Sequence, residues 1–171
     1  MKSETITLYK LMVLHMLNKV NFPLSNAQMS EFFLGKDYTN YFTFQQVINE
    51  LIEASLINVE TIRHTSRYEI TKEGEEALQF FGNKLSDGIT EDIEEFLKEN
   101  KFKMRNETGI MADYYKSTNM DYIVHCQVRE GKQTLFELNV SVPSEEQAEM
   151  MCNRWAKNSQ EIYSFVMKSL L

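Results

Sequence analysis

The stretch LIEASLINVETIRHTSRYEITKEG, Leu51 to Gly74, changes its hydrophobic period twice within a short span. A helical pattern ends at Leu56, and a β-type run follows from Ile57 to Ile62. A polar tip comes next, Arg63-His64-Thr65-Ser66-Arg67. A second β run, Tyr68-Glu69-Ile70, stops at Thr71, whose side chain suits the cap of a helix starting at Lys72. The order helix, strand, short loop, strand, helix sets the architecture of the N-terminal half.

Working upstream, Thr5 or Thr7 opens a first helix with a broad apolar stripe, Ile6, Leu8, Leu11, Met12, Leu14, Met16 and Leu17. Pro23 breaks it by biasing Phe22 to extended backbone. Ser25 with Gln28 forms a capping box for a second helix, which buries Met29, Phe32 and Phe33 and ends at Gly35. A polar and aromatic connector, residues 36–42, leads to Thr43, which with Gln46 reads as the box of a third helix running from Phe44 to about Ser55. Phe44, Val47, Ile48, Leu51, Ile52 and Leu56 form its apolar face; Gln45, Gln46, Asn49, Glu50 and Glu53 lie opposite. A fourth helix follows Thr71 with Ala77, Leu78, Phe81 and Leu85 inward.

Downstream, Ser86-Asp87-Gly88 reads as a hinge. Ile89, Ile93, Phe96 and Leu97 define a short amphipathic helix ending near Asn100, and the alternation in Lys101-Phe102-Lys103-Met104-Arg105 predicts the start of a strand. Residues 110–116, 122–129 and 134–142 are β-rich, with hairpin-length breaks between them, so they should run antiparallel. Tyr122, Val124, Cys126 and Val128 share one face; Phe136, Leu138, Val140 and Val142 alternate in the same way. The cover for that face is the last helix, capped by Ser144 with Gln147. Its stripe comprises Ala148, Met151, Cys152, Trp155, Ile162, Tyr163, Val166 and Leu170, reaching the C-terminus. The prediction is an α+β protein of two modules, residues 1–85 and residues 86–171.

Composition narrows the function. The 171 residues carry a net charge of −7, and residues 1–82 hold 7 Lys and Arg against 10 Asp and Glu. That balance opposes indiscriminate nucleic-acid binding, although one local face can still bind. Cys126 and Cys152 lack the paired spacing of a disulfide framework or metal site and read as buried thiols. His15, His64 and His125 are far apart, and the carboxylate runs lie on solvated helix faces. No nucleophile–base set, ligand cluster or phosphate loop stands out, so neither catalysis nor a metal or cofactor is expected. The N-terminal apolar stretch is interrupted by Tyr9, Lys10 and His15, and no run spans a membrane, so a cytoplasmic protein without a membrane partner is expected.

The three helices, the two-stranded hairpin and the exit Tyr68-Glu69-Ile70-Thr71-Lys72-Glu73-Gly74 together resemble the winged helix-turn-helix transcriptional regulators of bacteria. The cast is PadR-like or MarR-like over roughly residues 5–85. The resemblance implies an N-terminal winged helix-turn-helix, to which the patterning of the remaining residues adds a small antiparallel sheet packed on a long C-terminal helix. It also implies double-stranded DNA as partner, with the third helix in the major groove. Carried over by position, Thr43, Gln45, Gln46 and Asn49 face the groove, and Gln and Asn suit adenine. Arg63, His64 and Arg67 of the wing would touch phosphate or a narrow groove, and Tyr38, Thr39, Asn40 and Tyr41, ahead of the helix, would donate to phosphates. A homodimer is expected, since paired half-sites supply the affinity that one winged helix lacks. Glu50 and Glu53 on the same side favour an alternative, a winged helix that docks a protein. A third reading is a small-molecule effector sensed by the C-terminal module.

Overall fold

A computed structural model describes residues 2–171. Six α-helices and two three-stranded antiparallel sheets make an α+β protein with a long C-terminal helix. In chain order these are α1 (Lys2–Asn18), β1 (Leu24–Ser25), α2 (Asn26–Gly35), α3 (Tyr41–Glu53), β2 (Ile57–Ile62), β3 (Thr65–Ile70) and α4 (Lys72–Phe81). A 3-10 turn (Gly82–Lys84) leads to α5 (Asp87–Gly109), β4 (Ile110–Lys116), β5 (Tyr122–Glu130), β6 (Gln133–Val142) and α6 (Glu145–Leu170). The chain divides into two compact units, the first ending at Met104 and the second comprising Arg105–Leu171.

In the first unit the second half of α1 is buried on nearly every side, through Leu11, Met12, Val13, Leu14, Met16 and Leu17. A helix apolar all round belongs in the middle of a core. Around it pack Phe32 and Phe33 of α2 and Phe44, Ile48 and Leu51 of α3. Ser25 and Gln28 form both halves of the capping box on α2. The same Gln28 side chain also donates to the Met104 carbonyl at 3.3 Å. The cap of α3 is Asn40, not Thr43: the Asn40 side chain accepts from the Thr43 N–H at 2.9 Å, and the helix begins at Tyr41. Asn outranks Thr as an N-cap, and an earlier start gains a further turn of backbone bonds.

Strand β3 lies between β1 and β2. Thr65, Ser66 and Arg67 belong to that strand, so the expected five-residue tip shrinks to Arg63-His64. Both tip residues have left-handed backbones, φ 52° and 70°. Two consecutive left-handed residues are what a two-residue hairpin turn demands.

At the hairpin exit, Thr71 caps α4 by accepting from the Gly74 N–H at 3.0 Å, and its hydroxyl donates to the Ser55 carbonyl at 2.8 Å. Its own N–H donates to the Leu56 carbonyl at 3.1 Å. Gly74 stands against that carbonyl, where a Cβ would lie 2.2 Å from the oxygen. Ala77, Leu78 and Leu85 pack on the core, but Phe81, expected inward, is 43% exposed. Helix α4 stops there, the 3-10 turn brings Leu85 round instead, and the Lys84 ammonium covers the Phe81 ring at 5.3 Å.

Two further expectations are corrected by α5. Residues 86–88 do not form a hinge: Ser86 caps the helix, accepting from the Ile89 N–H at 3.3 Å. Residues 101–105 are helical rather than extended. Leu97 and Met104, two turns apart, are buried, whereas Phe102 is 77% exposed, so the Phe–Met alternation marks opposite helix sides. Because Ile93, Leu97 and Met104 belong to the first core, the units part inside α5 and not near residue 85.

The second unit is an antiparallel meander, in order β4-β5-β6, at almost the boundaries expected from sequence. Val124 and Cys126 of β5 are buried under Ala148, Cys152 and Trp155 of α6. Trp155 stacks on Phe136 and donates its indole N–H to the Gln127 carbonyl at 3.0 Å. Both cysteines are buried, and burial pushes the Cys126 thiol up to about 11. The stripe of α6 is covered only to Ile162 and the edge of Tyr163; Phe165 and Leu170 are exposed. The helix simply outruns the sheet beneath it. No helix among the described residues is long and apolar enough to cross a membrane.

Replacing Gly74 with Ala drives a methyl into the Leu56 carbonyl, and we expect about 2–3 kcal/mol of lost stability in urea unfolding. An exposed substitution on the same helix, Glu76→Ala, should stay within about 0.5 kcal/mol of the parent. A Gly74→Ala protein as stable as the parent would show that the junction has room for a side chain.

Candidate functional site

Helix α3 buries Phe44, Val47, Ile48 and Leu51. The helical period therefore turns Phe42, Gln46, Asn49 and Glu53 outward as one stripe, and all four are exposed. Phe42 is 85% exposed, beside Tyr41 at 51%. The two rings meet edge to face, with centroids 6.3 Å apart.

The residues expected to act together are not equally available. Gln45 is half-buried and locked to Asn26 by two reciprocal amide bonds, 2.8 and 3.2 Å, while Asn26 also donates to the Tyr68 hydroxyl at 3.3 Å. Gln46 donates to Glu50 at 2.9 Å, and Glu50 is paired with Lys10 at 2.6 Å. The bonds from Lys10 and Gln46 hold the Glu50 carboxyl below its usual range. Glu50 is thereby neutralised by a neighbour, and Glu53 remains as the acid of the exposed stripe. Asn49 is exposed and carries the stripe's freely presented amide.

Asn40 is exposed, but its side-chain oxygen is committed to the cap, and Thr43 is half-buried behind it. Tyr38 is a structural residue. Its hydroxyl donates to Asp92 of α5 at 2.6 Å, its carbonyl accepts the Tyr9 hydroxyl, and its ring lies against Phe32. Burial, reinforced by the bond to Asp92, pushes the phenol up to about 12. At the hairpin, His64 is exposed and Arg63 half-exposed, but Arg67 is only 8% exposed. Arg67 sits opposite Glu60 of β2 and Ser25 of β1, in the central strand. Of the eleven expected residues, Tyr41, Gln46, Asn49, Arg63 and His64 thus present side chains outward, and the others serve the fold wholly or in part.

Phe42 and Tyr41 fall within the connector expected from sequence. Once Asn40 is taken as the cap, the spacing 42, 46, 49, 53 emerges as a single helical face, so the signal is present in the sequence. What the face offers is amide hydrogen bonding and exposed aromatic surface, with no Lys or Arg. Among the described residues, no group of three His, Cys, Asp or Glu side chains converges to hold a metal ion.

A family model described as a domain of unknown function (DUF4364) matches residues 9–170. The chain belongs to the DUF4364 family. The DUF4364 match takes in both compact units, so the sheet and α6 are as much part of the family's fold as the helices before them. No curated protein and no solved structure matches the chain.

Replacing Tyr38 with Phe deletes the bond to Asp92 and should cost about 1.5 kcal/mol. The phenol's raised value also fixes a direction with pH. Its contribution is complete below pH 10, the unfolded value, and is lost as pH rises toward about 12. Urea midpoints measured across that window should fall more steeply for the parent than for Tyr38→Phe; parallel curves would exclude the linkage.

Proposed function

We propose that the first unit is a winged helix-turn-helix and that the protein is a DNA-binding transcriptional regulator acting as a homodimer. The observation that carries this reading is the combination of order and exposure. Helices α2 and α3 precede a β2–β3 hairpin paired to a short β1, and α3 turns an open face with Gln46 and Asn49 to solvent. A helix of that kind fits the major groove, and a hairpin tip bearing Arg63 and His64 fits the adjoining backbone.

The acidic balance makes the salt dependence the decisive measurement. Binding to random duplex should be detectable at low ionic strength, and log K should fall linearly with log salt. Arg63→Ala should weaken binding across sequences and reduce the slope by about 1. An unchanged slope would remove the hairpin tip from the mechanism. Absence of binding at low salt by a folded protein would sink the DNA reading altogether.

That second outcome would favour a winged helix that docks a protein. Its specific support is the absence of Lys and Arg from the exposed α3 stripe, together with the exposure of Tyr41 and Phe42.

For the homodimer, the supporting observation is in the second unit. Beyond Ile162, α6 exposes Phe165, Met167, Leu170 and Leu171, an apolar surface that a second copy of the chain can cover. Sedimentation should give a dimer for the parent and a folded monomer for Phe165→Glu with Leu170→Glu. A variant that remains dimeric would exclude the end of α6 as the contact.

A further inference from the structure

The exposed stripe of α3 is unusual in what it lacks as much as in what it holds. It has no Arg or Lys, the side chains that read guanine O6 and N7 bidentately. Asn49 offers the amide geometry that matches adenine N6 and N7. Phe42, in the first turn of the same face, is an apolar ring 85% exposed with no core to fill. Thymine displays the one apolar group in the major groove, its 5-methyl, and an aromatic side chain is a suitable contact for it. The first turn is also where a groove-bound helix meets base edges.

From these observations we infer that α3 selects A·T pairs, with Phe42 packed on a thymine methyl and Asn49 paired with an adenine. This rests on the DNA-binding reading above and adds to it the class of sequence that is read. The geometry also sets a spacing. Residues 42 and 49 are two helical turns apart, roughly 10 Å along α3, far enough for the two contacts to fall on different base pairs of one site. The neighbouring groups agree with this division of labour. Gln45 is tied to Asn26, and Gln46 is bonded to Glu50, which leaves Phe42, Asn49 and the acid Glu53 on the face; of these, Phe42 and Asn49 lie nearer the N-terminal end, where a groove-bound helix meets base edges.

The test uses the full-length chain and duplexes selected from a randomised library. The selected sites should carry a T and an A at separate, fixed positions of one site. Replacing that thymine by deoxyuridine removes the methyl and nothing else, and should weaken the parent by about fourfold. Phe42→Ala should bind the thymine site more weakly than the parent and should no longer distinguish thymine from deoxyuridine. Because Phe42 is on the surface, that variant should melt with the parent, which a thermal scan verifies. Asn49→Ala should lose preference at the adenine position while keeping its sensitivity to deoxyuridine.

A·T selection and DNA binding fail separately. If duplexes are selected and bound but the parent is indifferent to deoxyuridine, the methyl contact is overturned and DNA binding stands. The methyl contact is likewise overturned if Phe42→Ala keeps the full deoxyuridine effect. If the folded protein selects no duplex at low salt, the DNA reading falls and the A·T inference falls with it.

Discussion

Much of the first unit depends on a single carbonyl. The oxygen of Leu56, just after α3, accepts the Thr71 N–H and leaves no room for a side chain at Gly74. Three elements meet there: the end of α3, the return of the hairpin and the first turn of α4. Thr71 doubles the link by donating to Ser55 and capping α4 with the same hydroxyl. A hydrogen-bonded junction with no space for a Cβ fixes how the hairpin leaves α3. It therefore fixes where the hairpin tip stands relative to the exposed face of that helix.

The polar groups on α3 are divided by the same logic. A half-buried amide in a core margin must find partners or bear the cost of its lost hydration. Gln45 finds Asn26, which in turn reaches Tyr68 on β3, so α2, α3 and the sheet are joined by side chains as well as by apolar packing. Lys10 of α1 does the same for Glu50. These contacts take several polar side chains out of circulation, and what remains on the surface is a narrower and less charged stripe than composition implies.

The parts legible in the sequence are those whose signal is local. Strands β5 and β6 of the second unit alternate along most of their length, and the expected boundaries of all three strands lie within a residue of those observed. Ser25 with Gln28, Thr71 and Ser144 are caps that act on their own helices, and each does so. What escapes depends on distant partners. A two-residue β1 has no period to detect, yet its pairing makes β3 central and buries Arg67, which sequence alone places at an exposed tip. Lys101–Arg105 alternates by coincidence; Met104 is buried because the first core reaches that far along α5, not because a strand begins. Asn40 and Thr43 are both acceptable caps, and only the extra turn gained from Tyr41 separates them. That choice also decides whether Phe42 belongs to a loop or to the exposed face of a helix.

The tip of the hairpin is built against its own backbone preference. Arg63 and His64 both occupy the left-handed region, which costs an ordinary side chain roughly 1 kcal/mol or more at each position. Asn-Gly would adopt the same turn with little strain. Backbone geometry alone would therefore favour other residues at both positions. The bend is more strained than its geometry requires, and it places a guanidinium and an imidazole at the far end of the sheet. The shape of the hairpin is set by the pairing of β2 with β3, and that pairing has to hold the local strain which the two side chains at its tip add.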